Sequence, residues 1–333
     1  MNTNKNMIRD RNLQVLKNFL FIQGTALKAE MARETGISVV TINSLVKQLV
    51  DEKVFIDDGL KQLPLGRPAT AYRFNYDQNH FLLLSIQEKK VSNHRKLIII
   101  GKIVNLSGEI KHENTIDFSE INLDFLISFI TSFLDLSYMI DKIGLSLPGK
   151  VYNGVVLSSW GNLFNQWNIE QALATRTSIP LIIQNDAHLL TIGYTISQKL
   201  NKSKTIVGIF YPENSMPGIT IYSNGVILEG KNHLAGEAKY LPHLIDSFGP
   251  SNEMELITNL IEILAIYNTV IAPNSFIISA ESIDRNVLFK EIEQSSILPK
   301  QVNQPDILFV ENFQDSLMVG LRWLVTQDSP YHL

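Results

Sequence analysis

Residues 31–44 read Met31-Ala32-Arg33-Glu34-Thr35-Gly36-Ile37-Ser38-Val39-Val40-Thr41-Ile42-Asn43-Ser44. Gly36 can take the positive φ that ends a helix, and Ser38 offers a hydroxyl N-cap for the next one. A helix over residues 26–34, with Leu27 and Met31 inward, therefore turns into a longer helix running to about Glu52. On the longer helix Ile42, Leu45, Val46 and Leu49 share one face, which marks its buried side. Upstream, Leu13, Leu16, Phe19 and Leu20 give an earlier helix the same kind of stripe, ended by Gly24. Short helix, glycine turn and longer polar-faced helix make a helix-turn-helix pattern.

The longer helix turns Val39, Thr41, Asn43, Ser44, Lys47 and Gln48 outward, with Ser38 at its start. These are short or hydrogen-bonding groups suited to a base-lined groove, where a merely solvated helix would more often carry Glu and Lys pairs. Ser38, Val39, Thr41, Asn43, Ser44 and Lys47 are the candidate contacts to double-stranded operator DNA. The bland alternative is a three-helix packing element with no ligand. Downstream, Val54-Phe55-Ile56 and Ala71-Tyr72-Arg73-Phe74 read as two strands of a β-hairpin wing. Between them lie Gly59, Pro64 and Gly66-Arg67-Pro68. Arg67, on a stiff backbone, either enters a minor groove or is solvated while its neighbours shape the turn.

Charge follows the same division. Residues 1–75 hold eleven Lys or Arg against seven Asp or Glu, a net of +4, which leaves −8 for the rest of a chain whose total is −4. A basic module on an acidic body suits one part that meets phosphates and one that does not. The 333 residues call for two or three packed units, and 45% hydrophobic residues suffice for their cores. The absence of cysteine excludes disulfides, thiolate zinc sites and cysteine nucleophiles. The N-terminus has no apolar signal region, and no run approaches the ~18 apolar residues of a membrane span, so no membrane role is expected and the expected location is the cytoplasm.

From Phe81 the pattern changes to apolar strands and amphipathic helices. Strands are expected at 81–86, 97–104 and 109–116, a helix at 123–140, and strands at 143–147 and 179–183. Gln184-Asn185-Asp186 then leads into a helix from Ala187. The order repeats in outline: strands at 206–210 and 218–222, a helix at 255–272, a strand at 276–279, a helix at 287–294, a strand at 307–310 and a helix at 315–325. Two successive αβ lobes imply a cleft between them.

Several stretches stand in an order and spacing that resemble the ROK (repressor, open reading frame, kinase) family of the actin-like ATPase superfamily, and its repressors in particular. They are Gly66-Arg67-Pro68, Gly144-Leu145-Ser146-Leu147-Pro148-Gly149, Val155-Val156-Leu157-Ser158-Ser159, Trp167-Asn168, Gln184-Asn185-Asp186-Ala187, Leu234-Ala235-Gly236-Glu237 and Leu317-Met318-Val319-Gly320. The resemblance implies an α/β chain with an N-terminal winged helix-turn-helix, residues 1–78, followed by a two-lobed actin-like ATPase (ribonuclease-H-like) ROK domain, residues 79–333. Lobe one would be about 79–195 plus the C-terminal helix 315–333, and lobe two about 196–314. It implies a sugar-controlled repressor of carbohydrate-utilisation genes, acting as a homodimer or homotetramer. Gly149, Asn162, Asn185, Asp186 and Glu237 match the family's sugar contacts, and Asp186 matches the general base of its kinases. For Asn185-Asp186 a strand-ending turn and helix cap is the simpler alternative, and for Glu237 a solvated loop residue.

The departures from the family pattern point away from an enzyme. Family kinases carry an Asp-x-Gly-Gly-Thr phosphate loop where this chain has Ser85-Ile86-Gln87-Glu88-Lys89. A second glycine-rich loop is replaced by Tyr211-Pro212-Glu213-Asn214-Ser215-Met216-Pro217-Gly218, and a Gly-Gly by Ser279-Ala280. Proline has no N–H for phosphate, and Glu88 and Glu213 would repel it. The family zinc site needs one His and three Cys; Tyr240 stands at the His position and Cys is absent. Glu255 is only a loose substitute for a further sugar-binding Glu. No catalytic residue, cofactor or metal is therefore expected. The competing readings are a ROK-type sugar kinase, or a regulator that has lost its small ligand and answers to a protein partner.

Overall fold

The stripe of Leu13, Leu16 and Leu20 faces inward on α1 (Asn2–Gln23), which stops at Gly24 with φ 77°. A helix from residue 26 was expected, but Thr25–Leu27 form a short strand, β1, and α2 (Lys28–Thr35) starts only after it. The backbone of Thr25–Leu27 is taken by antiparallel pairing with residues 71–73, and the Glu30 carboxylate accepts the Leu27 N–H at 2.7 Å. Gly36 takes φ 71° and closes α2, and the Ser38 hydroxyl caps α3 (Val39–Asp51) by accepting from the Thr41 N–H. Ile42, Leu45, Val46 and Leu49 are buried. β2 (Phe55–Lys61) and β3 (Ala69–Phe74) complete a sheet in the order β1-β3-β2. Three helices and this sheet form a winged helix-turn-helix.

The structure, a computed structural model, describes residues 2–62, 67–91, 94–212, 215–245, 247, 249–281 and 283–332. Pro64, Gly66, Glu213 and Asn214 lie outside the described residues.

The body is a duplicated α/β unit. In its first half β4 (His80–Val91), β5 (His94–Asn105) and β6 (Ile110–Asp117) form an antiparallel meander. After α4 (Leu123–Leu134), β7 (Ile140–Leu147) runs parallel to β4. A small hairpin, β8 (Gly149–Tyr152) with β9 (Val155–Ser159), and then α5 (Ile169–Ala174) precede β10 (Leu181–Asn185) and α6 (Asp186–Ser197). The second half runs β11 (Thr205–Phe210), β12 (Gly218–Ser223), β13 (Val226–Ile227), α7 (Glu253–Ile271), β14 (Ser275–Ser279), α8 (Arg285–Gln294), β15 (Asp306–Phe309) and α9 (Phe313–Thr326). With each half's sheet strands numbered by appearance, both sheets have the order 3-2-1-4-5: three antiparallel strands, then two parallel ones.

α4 ends six residues before the expected Ile140, because Leu136 and Tyr138 pack on the lobe core from a loop and Ile140 opens β7. α7 is long and apolar enough, by length and composition, to cross a bilayer, although no stretch of the sequence was expected to approach a span. Here Leu256, Ile257, Leu260, Ile263 and Leu264 pack on Phe276 and Ile278 in the core of the second half.

The last helix of each half crosses onto the other. α9 packs on β4 and β7, α6 packs on β11 and β12, and the two helices pack on each other. They meet backbone to backbone. A Cβ on Gly193 would stand 1.7 Å from the Ser316 carbonyl oxygen, and one on Gly320 would stand 2.0 Å from that of Leu189. One apolar cluster joins Leu16, Leu20 and Phe74 of the winged module to Phe81, Leu321, Leu324 and Tyr331 of the body. Tyr331, past α9, lies 5.0 Å from the Phe21 ring and 5.2 Å from the Phe74 ring.

Candidate functional site

α3 carries the first candidate surface. Ser38, Val39, Asn43, Ser44 and Lys47 are exposed, and Thr41 is half-buried with its hydroxyl 2.9 Å from that of Ser38. Gln48 is less free, since it accepts from Arg9 and donates to Glu52. Val40, which the sequence reading passed over, is 81% exposed on the same helix. The buried stripe fixed the inward residues, but nothing in it weighs one outward residue against another. Arg67 is exposed next to Pro68.

The second candidate surface forms where β7, β10 and the start of α6 meet the second half. Gly149 opens β8, where a Cβ would stand 2.6 Å from the Ser158 carbonyl, so the close pairing of β8 and β9 requires glycine. Its own carbonyl accepts from Asn185 Nδ2 at 3.1 Å, and Asn185 Oδ1 is a buried acceptor without a partner. Asp186 follows at the first turn of α6, where its carboxylate accepts the Ala187 N–H at 2.8 Å. Burial pushes the Asp186 carboxyl up to about 6, partly offset by that N–H and by Lys150. Gly218 packs against Ala187 and pairs with Glu237, which brings the second half's carboxylate to the same place. Glu237 accepts from the Ser158 hydroxyl at 3.0 Å and lies 3.3 Å from Lys239 Nζ. Asn162 lies on an exposed turn after β9, and its side-chain oxygen accepts from Asn165.

Sequence reasoning missed the groups that bind this cluster together. Lys150 is 3% exposed, and its Nζ lies 2.8 Å from His188 Nε2. His188 is buried and held well below its usual pKa, first by burial and then by the nearby Lys150 charge. Gln184 links His188, the Asn185 N–H and Glu229.

Residues 97–243 match the model of the ROK family. The chain carries a ROK-family domain. Among solved structures, a ROK family transcriptional regulator, a homolog of the E. coli MLC protein, superposes with a TM-score of 0.65 at 17% identity and covers 97% of both chains. A ROK family protein from Streptococcus pneumoniae TIGR4 in complex with sucrose gives 0.55 at 14% identity, covering 74% of this chain and 99% of that one. ROK hexokinase from Thermus thermophilus gives 0.52 at 11%, covering 75% and 100%. At these identities the likeness establishes the fold. A comparison with curated proteins found no match.

Within the body, the segment expected to correspond to the first phosphate loop of family kinases is an uninterrupted strand. β4 pairs with β5 over the full register from His80↔Asn105 to Val91↔His94. Ser85 is buried and accepts from Gln87, and Glu88 pairs with Arg95 at 2.9 Å. At the second loop Tyr211 is fully buried, and its N–H donates to the Ser279 carbonyl. Tyr240 is 66% exposed, with Lys239 Nζ 5.3 Å from its ring centre. The Glu255 carboxylate is occupied by the Ser251 N–H and hydroxyl at the start of α7.

Proposed function

We propose that the chain is a DNA-binding transcription regulator, a repressor of carbohydrate-utilisation genes that acts as a dimer on a pseudo-palindromic operator and responds to an effector in the cleft between lobes. The observation that carries it is the exposed, short-polar face of α3 on a winged helix-turn-helix whose inner stripe is buried. Two such modules presented by a two-fold dimer would meet successive major grooves. The effector cleft is Asn185, Asp186 and Glu237, with Gly149 and Asn162 at its edge. Selection of genomic fragments on the purified protein tests the reading. Lys47→Ala and Arg67→Ala should each weaken binding across sequences and lower the salt slope by about 1. Asn43→Ala should cost roughly 1–3 kcal/mol of discrimination at one base pair. Recovery of random fragments would sink the reading.

Kinase activity is not part of it. Phosphoryl transfer rests on loops whose free N–H groups cradle phosphate, and the β4 N–H groups in that segment belong to a sheet ladder. ADP release over a panel of hexoses and pentoses with Mg²⁺-ATP should stay at background. Sugar-dependent release abolished by Asp186→Asn would restore the kinase alternative.

A further inference from the structure

Lys150 is a buried cation whose needs the protein does not meet. Gln184 Nε2 donates to Glu229, so Gln184 Oε1 is the atom that faces His188 Nδ1 at 3.0 Å. A neutral His188 therefore carries its proton on Nδ1, and its Nε2 lone pair accepts from Lys150. An ammonium has three N–H bonds, and this is its one hydrogen-bond partner among the described residues. The carboxylates around it are committed elsewhere: Glu237 to Ser158 and Lys239, Glu229 to Gln184 with His233 3.5 Å away, and Asp186 to the Ala187 N–H. They act on Lys150 through space without a hydrogen bond. The carbonyl of Gly149, the residue before Lys150, accepts from Asn185 Nδ2, and Asn185 Oδ1 is buried without a donor. Unmet buried donors beside an unmet buried acceptor are costly unless a ligand or water supplies both.

We propose that the cleft takes a polyhydroxylated anion, a sugar acid, with its carboxylate on Lys150 and its hydroxyls on Asn185, Asp186 and Glu237, and that Lys150 selects it over a neutral sugar. This rests on the reading of the cleft as the effector site. A charge-assisted pair in a buried setting outweighs any single neutral hydroxyl contact.

The pH dependence has a definite sign. Burial holds the Asp186 carboxyl up at about 6 and pushes the Lys150 amine down. An arriving carboxylate favours the protonated form of both, so binding takes up protons and tightens as pH falls. Glu229 and Glu237 also face Lys150 and are already hydrogen-bonded, with His233 beside Glu229 and Lys239 beside Glu237. A neutral sugar that used ionised Asp186 as an acceptor would instead weaken over the same interval.

Calorimetric titration with D-gluconate, D-glucuronate, D-glucose and glucose 6-phosphate at pH 6, 7 and 8 tests this. The expected result is binding of a carboxylate, tightening about fivefold from pH 8 to pH 6, with glucose at least tenfold weaker. Lys150→Met, verified as folded by circular dichroism and its melting curve, should lose that binding. Binding of glucose 6-phosphate alone, with the same dependence on Lys150 and pH, keeps the anion and makes phosphate its source. Glucose binding as tightly as the acids, affinity falling toward pH 6, or no binding by any probe overturns the proposal. The pH series on the unaltered protein stands even if Lys150→Met fails to fold. Operator selection on the unaltered protein separately decides the reading of function, so the two can fail independently.

Discussion

Gly193→Ala should destabilise the chain by at least about 2 kcal/mol, even though alanine favours a helix over glycine by about 1 kcal/mol. The new methyl would stand 1.7 Å from a backbone oxygen of α9, which no rotamer change can relieve, so α6 and α9 must move apart. That movement opens a seam running through both halves, because each helix packs on the other half's sheet. Gly320→Ala should cost a similar amount for the mirror-image reason, its methyl 2.0 Å from the Leu189 oxygen. The double variant should lose clearly less than the sum, since one separation of the helices accommodates both methyls. Urea unfolding midpoints measure all three, and a Gly193→Ala protein as stable as the parent would refute the close approach.

Tyr331→Ala should cost roughly 3 kcal/mol, the lower end for removing a large buried aromatic side chain. Tyr331 is 9% exposed and its ring lies against Phe21 and Phe74, so its loss leaves an apolar gap between the winged module and the body. Tyr331→Phe keeps the ring and should stay within about 1 kcal/mol of the parent. Burial pushes the Tyr331 hydroxyl up to about 12. The folded state thus prefers the neutral phenol, and this contribution is present below pH 10 and lost as the pH rises from 10 to 12. Tyr331→Phe should therefore flatten the alkaline fall in stability. Hydrogen exchange on the alanine variant should rise first in β3 and the end of α1; unchanged protection there would count against the wedge.

The parts of the fold that were legible in the sequence were those governed by short-range signals. Ile42, Leu45, Val46 and Leu49 announced α3 because helical periodicity and a Ser38 cap agree with each other. The strand at Thr25–Leu27 left no such trace: three residues cannot show alternation, and the partner that holds them is 44–48 residues away. α4 was over-extended because an apolar residue reads alike in a helix and in a loop that covers a core, as Leu136 and Tyr138 do. At the cleft, Asn185, Asp186 and Glu237 came from a resemblance and are brought together by β10, α6 and the pairing of Gly218 with Glu237. Lys150 could not be found that way. In sequence it is a lysine after a glycine, normally a solvated residue, and only the folding of β8 across His188 buries it.

The apolar cluster shared by the winged module and the body bears on how such a chain could be recombined. Its seam runs through Phe21, Phe74 and Tyr331 rather than through a linker. A crossover that joined this winged module to another body would inherit an aromatic face shaped for Tyr331, which the new partner lacks. The winged module and the segment around Tyr331 are therefore expected to change together, and chimeras that exchange both at once should be expressed as soluble protein where single exchanges aggregate.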